Sequence, residues 1–320
     1  IYANVGNTIA GSPGSFALTT TIHDDGGSVL VVPNTANVTV VPIVVTGQLN
    51  PSSDTGKYHN DGVTNDNQPN FFGTSTPFSH VRLYATPVGG GTGIFIGQTQ
   101  ALSDGSWSIT SGVALHDGSY TIAATGQDQA NLPVNPGFSM ITVATNGGPN
   151  VLTIDTVGPR VTNTSFDRAN GTVSITFSDF NGSGVLLQSI EDAANYAFNN
   201  QLKRPLGKYI IGAINVTPGP GTGDETVELF IVSTFHGTPL TSRLLRGFFQ
   251  ITAFSASVVK PSGIQDLAGN ALDGEFYGPG SASGNGIPGG DFIANFNNFH
   301  NIINPPATVI GTPHPNDPPA

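Results

Sequence analysis

The sequence predicts an all-β protein: tandem β-sandwiches preceded by an N-terminal β segment. Three observations predict it. Charged residues make up only 10% of the chain, while Gly 42 and Pro 24 are abundant, the composition of a turn-rich protein with neutral, hydroxylated faces. Hydrophobic residues still reach 37%, enough to build cores and too many for a disordered chain. Turn dipeptides such as Asp104-Gly105 and Asp117-Gly118 punctuate short apolar runs every 8–12 residues, as a sandwich requires.

The elements follow in order. Phe16 to Ile22 is β-rich, Asp24-Asp25-Gly26-Gly27 makes a tight turn, and Val29 to Val32 resumes: a hairpin signature. Thr35 to Thr46 is a further extended run, broken by Pro42. Residues 1–46 are then a β segment too small to close a core of their own. Either a domain is cut there or the strands pack on a neighbour.

Residues 47–157 have the size and turn spacing of one sandwich. Its predicted strands are Phe71–Gly73, Val81–Ala85, Ile94–Gln98, Ser106–Thr110 with the lone Trp107, Tyr120–Thr125, Ile141–Val143 and Val151–Ile154. Trp107 follows the Asp104-Gly105 turn in an alternating strand and is expected in the core. Residues 158–300 start a second sandwich after Pro159, with strands at Thr172–Ser178, Thr226–Val232, Phe248–Phe254 and Phe292–Phe296. Ser189-Ile-Glu-Asp192 reads as a capping box before a short helix through Tyr196. Residues 301–320 read as a Pro-rich tail.

Charge and motif content narrow the function. A net charge of −11 argues against nucleic acid and anionic membranes as partners, since nothing basic is gathered to meet phosphates. Cysteine is absent, which removes disulfides, thiolate metal sites and thiol nucleophiles. No apolar run approaches the ~20 residues of a membrane span. The chain opens Ile-Tyr without Met, and reads as a processed or excised piece. The seven histidines form no zinc spacing. No GxSxG elbow is present, and Gly89–Gly93 has no Lys and leads into a strand, so it is not a phosphate loop. The chain is expected not to be an enzyme.

Residues 50–72, NPSSDTGKYHNDGVTNDNQPNFF, pack Asp54, Asp61 and Asp66 with Asn60, Asn65 and Asn67. Many oxygen donors at short spacing suit a hard cation; calcium takes six to eight oxygens and tolerates irregular loops. The same residue types also make ordinary polar loops. Asp54, Asp61, Asn65 and Asp66 are the candidate ligands. Asp266, Asn270, Asp273 and Glu275 repeat the pattern and form a possible second site, with a glycine-assisted turn as the other reading.

Several of these pieces resemble known families. Residues 21–28, TIHDDGGS, resemble the C-terminal half of a polycystic-kidney-disease-type repeat. SSDTG, DGVTNDNQPNFFG, DGSWSIT, DGSYTIAATGQDQAN and TIDTVGP resemble, in order, the bacterial Ig-like domains of large surface adhesins. ITFSD, the pair Asn195-Tyr196 and DLAGNALDG resemble the Ig-like domain of bacterial S-layer and related surface proteins; the likeness departs at residues 278–290. The resemblance implies tandem Ig-like sandwiches in an extracellular, cell-surface stalk, with calcium near domain junctions. It carries Asp54, Asp61 and Asp66 to the family's N-terminal loop and Asp128 to its ATDxxGN-type loop, where this chain has Ala130 in place of Gly. NDNQPNF also looks like the cadherin calcium linker, although Val63 stands where cadherins have an Asp.

The expected function is a non-enzymatic structural or adhesive module of a bacterial surface protein, with calcium-stiffened junctions. Its partners would be neighbouring Ig-like domains, identical subunits, or a surface glycan or protein ligand. The competing expectation is a filament or surface-layer subunit that polymerises by strand exchange through residues 1–46. A carbohydrate-binding accessory module is the third, and it requires an exposed aromatic cluster.

Overall fold

The computed structural model describes residues 18–23, 29–34, 43–127, 137–167, 170–200, 209–218, 224–233, 248–275 and 282–297. Strand is the dominant regular element in them, as the composition demands. β1 (Leu18–His23) and β2 (Val29–Asn34) pair antiparallel, with His23 opposite Val29 and Leu18 opposite Asn34, on either side of the predicted turn. Among the described residues this hairpin is a two-stranded sheet by itself. The tail at 301–320 and the run at 35–42 lie outside the described residues.

The first sandwich has two sheets. One is β3 (Val45–Leu49), β5 (Asn70–Ser75) and β8 (Ser106–Thr110). The other runs β4 (Val63–Thr64), β11 (Leu152–Ile154), β9 (Gly118–Gln127), β6 (His80–Pro87) and β7 (Ile94–Gln100), with β10 (Gly137–Met140) also paired to β9. Burial alternates residue by residue along β6 and β9, the period-2 pattern of half-buried strands. Val81, Leu83 and Ala85 interleave with Ile122, Ala124, Phe71 and Ile109 in one core. Trp107 joins it at 4% exposure, and its Nε1 donates to Thr46 O at 3.1 Å. A Cβ on Gly47 would sit 2.5 Å from the Trp107 ring, so only glycine lets β3 pass over the indole.

The predicted strand 141–143 takes a different form. After β10 the chain leaves the β9 sheet, and Leu49 N donates to Thr142 O at 2.8 Å in a single parallel bridge to β3. Ile141 and Val143 are buried all the same. The chain crosses between layers there, and a crossing segment buries residues without a ladder.

The second sandwich packs the sheet β12 (Arg160–Asp167), β13 (Thr172–Ser178), β16 (Asp224–Ser233) and β15 (Tyr209–Pro218) against β14 (Tyr196–Asn200), β17 (Phe248–Ala253) and β18 (Phe292–Asn297). Val173, Ile175 and Phe177 meet Val227, Leu229, Ile231, Phe292 and Phe296 in its core. The capping-box expectation is corrected. The helix α1 spans Leu187–Glu191, so Ser189 lies inside it, and its hydroxyl donates back to Leu186 O at 2.7 Å. Asp192 instead caps a 3-10 turn at Ala193–Asn195, and Tyr196 opens a strand.

Candidate metal centre

The acidic loop 50–72 folds mostly onto its own backbone. Asp61 Oδ1 accepts from Val63 N at 3.0 Å, Asp66 Oδ1 from Gln68 N at 3.0 Å, and Asn65 Oδ1 from Thr55 Oγ1 at 2.8 Å. Asp54 follows the 3-10 turn Pro51–Ser53 and is buried. Its Oδ2 accepts from Gly62 N at 3.3 Å, while its Oδ1 is buried without a hydrogen-bond partner. It lines a cavity of about 230 Å³ with Gln48, His59, Asn60 and Thr142. Burial lifts its carboxyl to about 6, with the charge of Asp61 adding to the rise against the Gly62 N–H. Burial also raises Asp61. Asp128 lies outside the described residues.

Among the described residues, three carboxylates converge elsewhere. Oxygens of Asp155, Asp179 and Asp266, all buried, lie within 4.8 Å of one another. Each comes from a different stretch. Asp155 is the first residue after β11, where the chain leaves the first sandwich, and its N–H donates to Thr64 O at 2.9 Å. Asp179 is the first residue after β13. Asp266 sits in the DLAGN loop and bridges to Val185. The site therefore lies where the two sandwiches join.

Each carboxylate is aimed by backbone donors. Asp155 Oδ1 accepts from Val157 N at 3.2 Å and Oδ2 from Ser183 N at 2.6 Å. Asp179 Oδ2 accepts from Gly184 N at 2.6 Å. Asp266 Oδ1 and Oδ2 accept from Asn270 N and Nδ2, both at 2.8 Å, and the same Nδ2 donates to Asp155 O at 2.8 Å. Asn270 thus ties the exit strand of the first sandwich to a loop of the second. These bonds orient the acids without neutralising them.

Charge is the unresolved quantity. Burial pushes Asp266 up to about 8; Asn270 opposes the rise, and the charges of Asp155 and Asp179 add to it. Burial likewise pushes Asp179 to about 6, reinforced by Asp155 and more weakly by Asp117. Every charge named there is negative. Among the described residues the ion pair is Arg160 Nε with Asp273 Oδ2 at 3.1 Å. Asp273 also accepts from Asn285 N and Gly286 N, so its carboxylate is already matched by a guanidinium and two N–H groups. The cluster itself must take up protons or a cation. Three hard carboxylate oxygens with neighbouring carbonyls, and no sulfur or imidazole, fit a hard divalent ion.

The loops around the cluster also seal the junction. Thr55 Oγ1 of the first sandwich lies 3.1 Å from Ala268 O of the second, a contact that shares its one proton with Asn65 Oδ1. Gly56 adopts φ 85° and Gly269 φ 91°. A Cβ on Gly56 would strike the Leu267 carbonyl, and one on Gly269 would come within 2.9 Å of Gly56 Cα. The two acidic loops singled out in the sequence therefore meet. Asp266 and Asn270 belong to the buried cluster; Asp155 and Asp179, its other two carboxylates, were not among the candidates read from the sequence. Both stand in stretches that carried the family resemblance, TIDTVGP and ITFSD, which is the signal that could have found them.

No curated protein matches the chain. Among solved structures, a tetra-tandem repeat in the extending region of a large adhesion protein aligns at 20% identity and TM-score 0.33, covering 88% of this chain and 56% of that one. The chain thus spans about half the length of that structure. A titin fragment aligns at 12% identity and TM-score 0.27, covering 72% of this chain and 98% of its own. Eight N-terminal Ig domains of the Down Syndrome Cell Adhesion Molecule align at 12% identity and TM-score 0.20, covering 82% and 27%. No helix among the described residues is long and apolar enough to cross a membrane. The family model of the bacterial Ig-like domain matches residues 39–132 of this chain.

Proposed function

We propose that the chain is a structural and adhesive module of a bacterial surface protein, and that calcium bound by Asp155, Asp179 and Asp266 stiffens the junction between its two sandwiches. The observation that carries this reading is three buried carboxylates converging at the junction with no basic side chain ion-paired to them among the described residues. Asp155 is the pivot, because it directly follows the last strand of the first sandwich while its carboxylate accepts from Ser183 N in the second. An ion on all three acids would fix the direction in which one domain leaves the other. The loop acids Asp54 and Asp61, with the orphaned Asp54 Oδ1, are a second place for a cation under the same reading.

Small-angle scattering tests it on the full chain. In millimolar calcium the two sandwiches should hold one fixed separation. In chelator the distribution of distances should broaden, and Asp155→Asn with Asp179→Asn should look chelated in either buffer. Identical profiles with and without calcium would sink the reading.

The β1–β2 hairpin supports a second reading. Among the described residues neither strand pairs with anything but the other, and open strand edges recruit partners. In this reading the hairpin completes its sheet on another copy. Sedimentation of the full chain and of a chain lacking residues 1–42 would then differ in mass; two monomers would end it.

A further inference from the structure

The outer face of the β10–β9–β6–β7 sheet carries an ordered set of rings. Directly opposed residues project on one face of a sheet, and the register places Met140, Ala123, Tyr84 and Phe95 in one cross-strand row. The next row is Phe138, Thr125, Arg82 and Gln98. Phe138 is 67% exposed, Phe95 47% and Met140 45%. Tyr84 and Phe95 touch edge to face, with centroids 5.7 Å apart. Small side chains, Ala123 and Thr125, form a floor along β9. Phe138 and Met140 stand on one side of that floor, and Arg82 and Tyr84 on the other. The banks are two strand spacings apart, roughly 10 Å. The face is a shallow channel lined by aromatic and aliphatic groups.

Its charge differs from that of the rest of the chain. The chain has Asp+Glu 21 against Lys+Arg 10, yet β6, β7, β9 and β10 contain no acidic residue. Arg82 is their single charged group. Its Nε donates to Gln98 Oε1 on the neighbouring β7 at 3.2 Å, which fixes the guanidinium on this face at the β6 bank of the channel. Among the described residues Arg82 has no carboxylate partner. Among those residues its hydrogen bond is the Nε donation to Gln98, and a guanidinium so placed can take a carboxylate on two parallel hydrogen bonds.

The backbone decides between a peptide and a sugar. Residues 123–126 of β9 are flanked by β10 on one side and β6 on the other, so their amides and carbonyls are spent in ladders. A peptide strand laid on this face would find no backbone partners for its own N–H and C=O groups, whereas strand addition needs a free edge. A sugar ring presents C–H groups that suit the negative face of an aromatic ring. Its hydroxyls need only side-chain partners, such as Thr125 on the channel floor.

We propose that this face binds an acidic glycan, a chain of sugars bearing carboxylates, laid along β9 between Phe138 and Tyr84 with one carboxylate on Arg82. The inference rests on the adhesive half of the function proposed above and is independent of the cation at the junction. The test titrates the full chain with oligogalacturonate, and separately with an uncharged cello-oligosaccharide of equal length. It is done calorimetrically in chelator, so that calcium cannot bridge the uronate. Trp107 emission reports that each variant is folded. Oligogalacturonate should bind the wild type, and Arg82→Gln should weaken it by roughly tenfold or more. Phe138→Ala and Phe95→Ala should each weaken it about two- to tenfold. Equal binding of the uncharged oligosaccharide, tighter binding of an acidic peptide, or affinities unmoved by Arg82→Gln and Phe138→Ala would each overturn the proposal. A wild type that binds neither sugar also overturns it, and leaves the calcium-dependent scattering to judge the junction separately.

Discussion

Asp266→Asn should change stability in opposite directions at two pH values. Asp266 is fully buried, and burial with the charges of Asp155 and Asp179 lifts its carboxyl from 3.8 to about 8. At about 1.4 kcal/mol per pH unit, holding it ionised costs on the order of 5 kcal/mol. The folded site binds more protons than the unfolded chain between those two values, so calcium-free protein should lose stability as pH rises from about 4 to about 8. Asparagine carries no charge and removes that cost at pH 8. It also turns one acceptor into a donor facing Asn270 Nδ2, now 2.8 Å from Asp266 Oδ2, a loss of about 2 kcal/mol. The net gain in chelator at pH 8 is about 3 kcal/mol, or roughly 10 °C in melting temperature for a domain of this size. At pH 5 the wild-type carboxyl is already protonated, so the gain vanishes and the variant should melt lower. Calcium supplies the second axis. At a hundred times its dissociation constant it should stabilise the wild type by about 2.7 kcal/mol at pH 8, and the variant, lacking one ligand, should lose that increment. Scanning calorimetry in chelator and in millimolar calcium, at both pH values, reads all four states. If the calcium-free wild type melts at the same temperature at pH 5 and pH 8, and Asp266→Asn lowers it equally at both, the carboxylates do not repel and the reasoning fails.

Three other outcomes follow from neighbouring geometry. Asp273→Asn should destabilise the second sandwich by about 1.5–3 kcal/mol, because Arg160 loses its partner, but should leave the calcium increment in calorimetry intact; loss of that increment would place Asp273 among the ligands. Gly56→Ala puts a side chain at φ 85° against the Leu267 carbonyl, so it should cost at least ~1 kcal/mol and speed proteolysis at residues 155–159; unchanged cleavage would mean the loops do not seal the junction. Trp107→Ala should cost about 3–5 kcal/mol in denaturant unfolding, and the wild-type emission should lie to the blue of free indole in water.

What the sequence disclosed was local. The strands Ser106–Thr110 and Thr172–Ser178 emerge with the predicted limits, since their turns and alternation are written in adjacent residues. β12 and β15 (Arg160–Asp167 and Tyr209–Pro218) were not marked. VTNTSF is polar and half-exposed along much of its length, so its place in a sheet comes from β13 and not from its own pattern. The acidic loops were legible as oxygen-rich stretches, but the set of acids that meets was not. Asp155 and Asp179 each follow a strand and look like ordinary strand-end turn residues. Only the closure of two sandwiches around Asn270 brings them to Asp266, and that closure is long-range packing.

That placement bears on how a junction ion would act. The three carboxylates do not belong to two loops facing each other across a gap. Two of them, Asp179 and Asp266, come from the second sandwich, and the third is the first residue beyond the last strand of the first. An ion held there would gain little by pulling bulk domains together, because Thr55, Gly56 and Gly269 already seat the loops. Its work would fall on the chain itself. Asp155 N is anchored to Thr64 O in the first sandwich while the Asp155 carboxylate faces the second. With the charges unneutralised, repulsion acts directly on the one peptide segment through which both domains are connected. Under the proposed function, neutralising it would therefore stiffen the hinge at its covalent point, where a given angular play moves the far domain most.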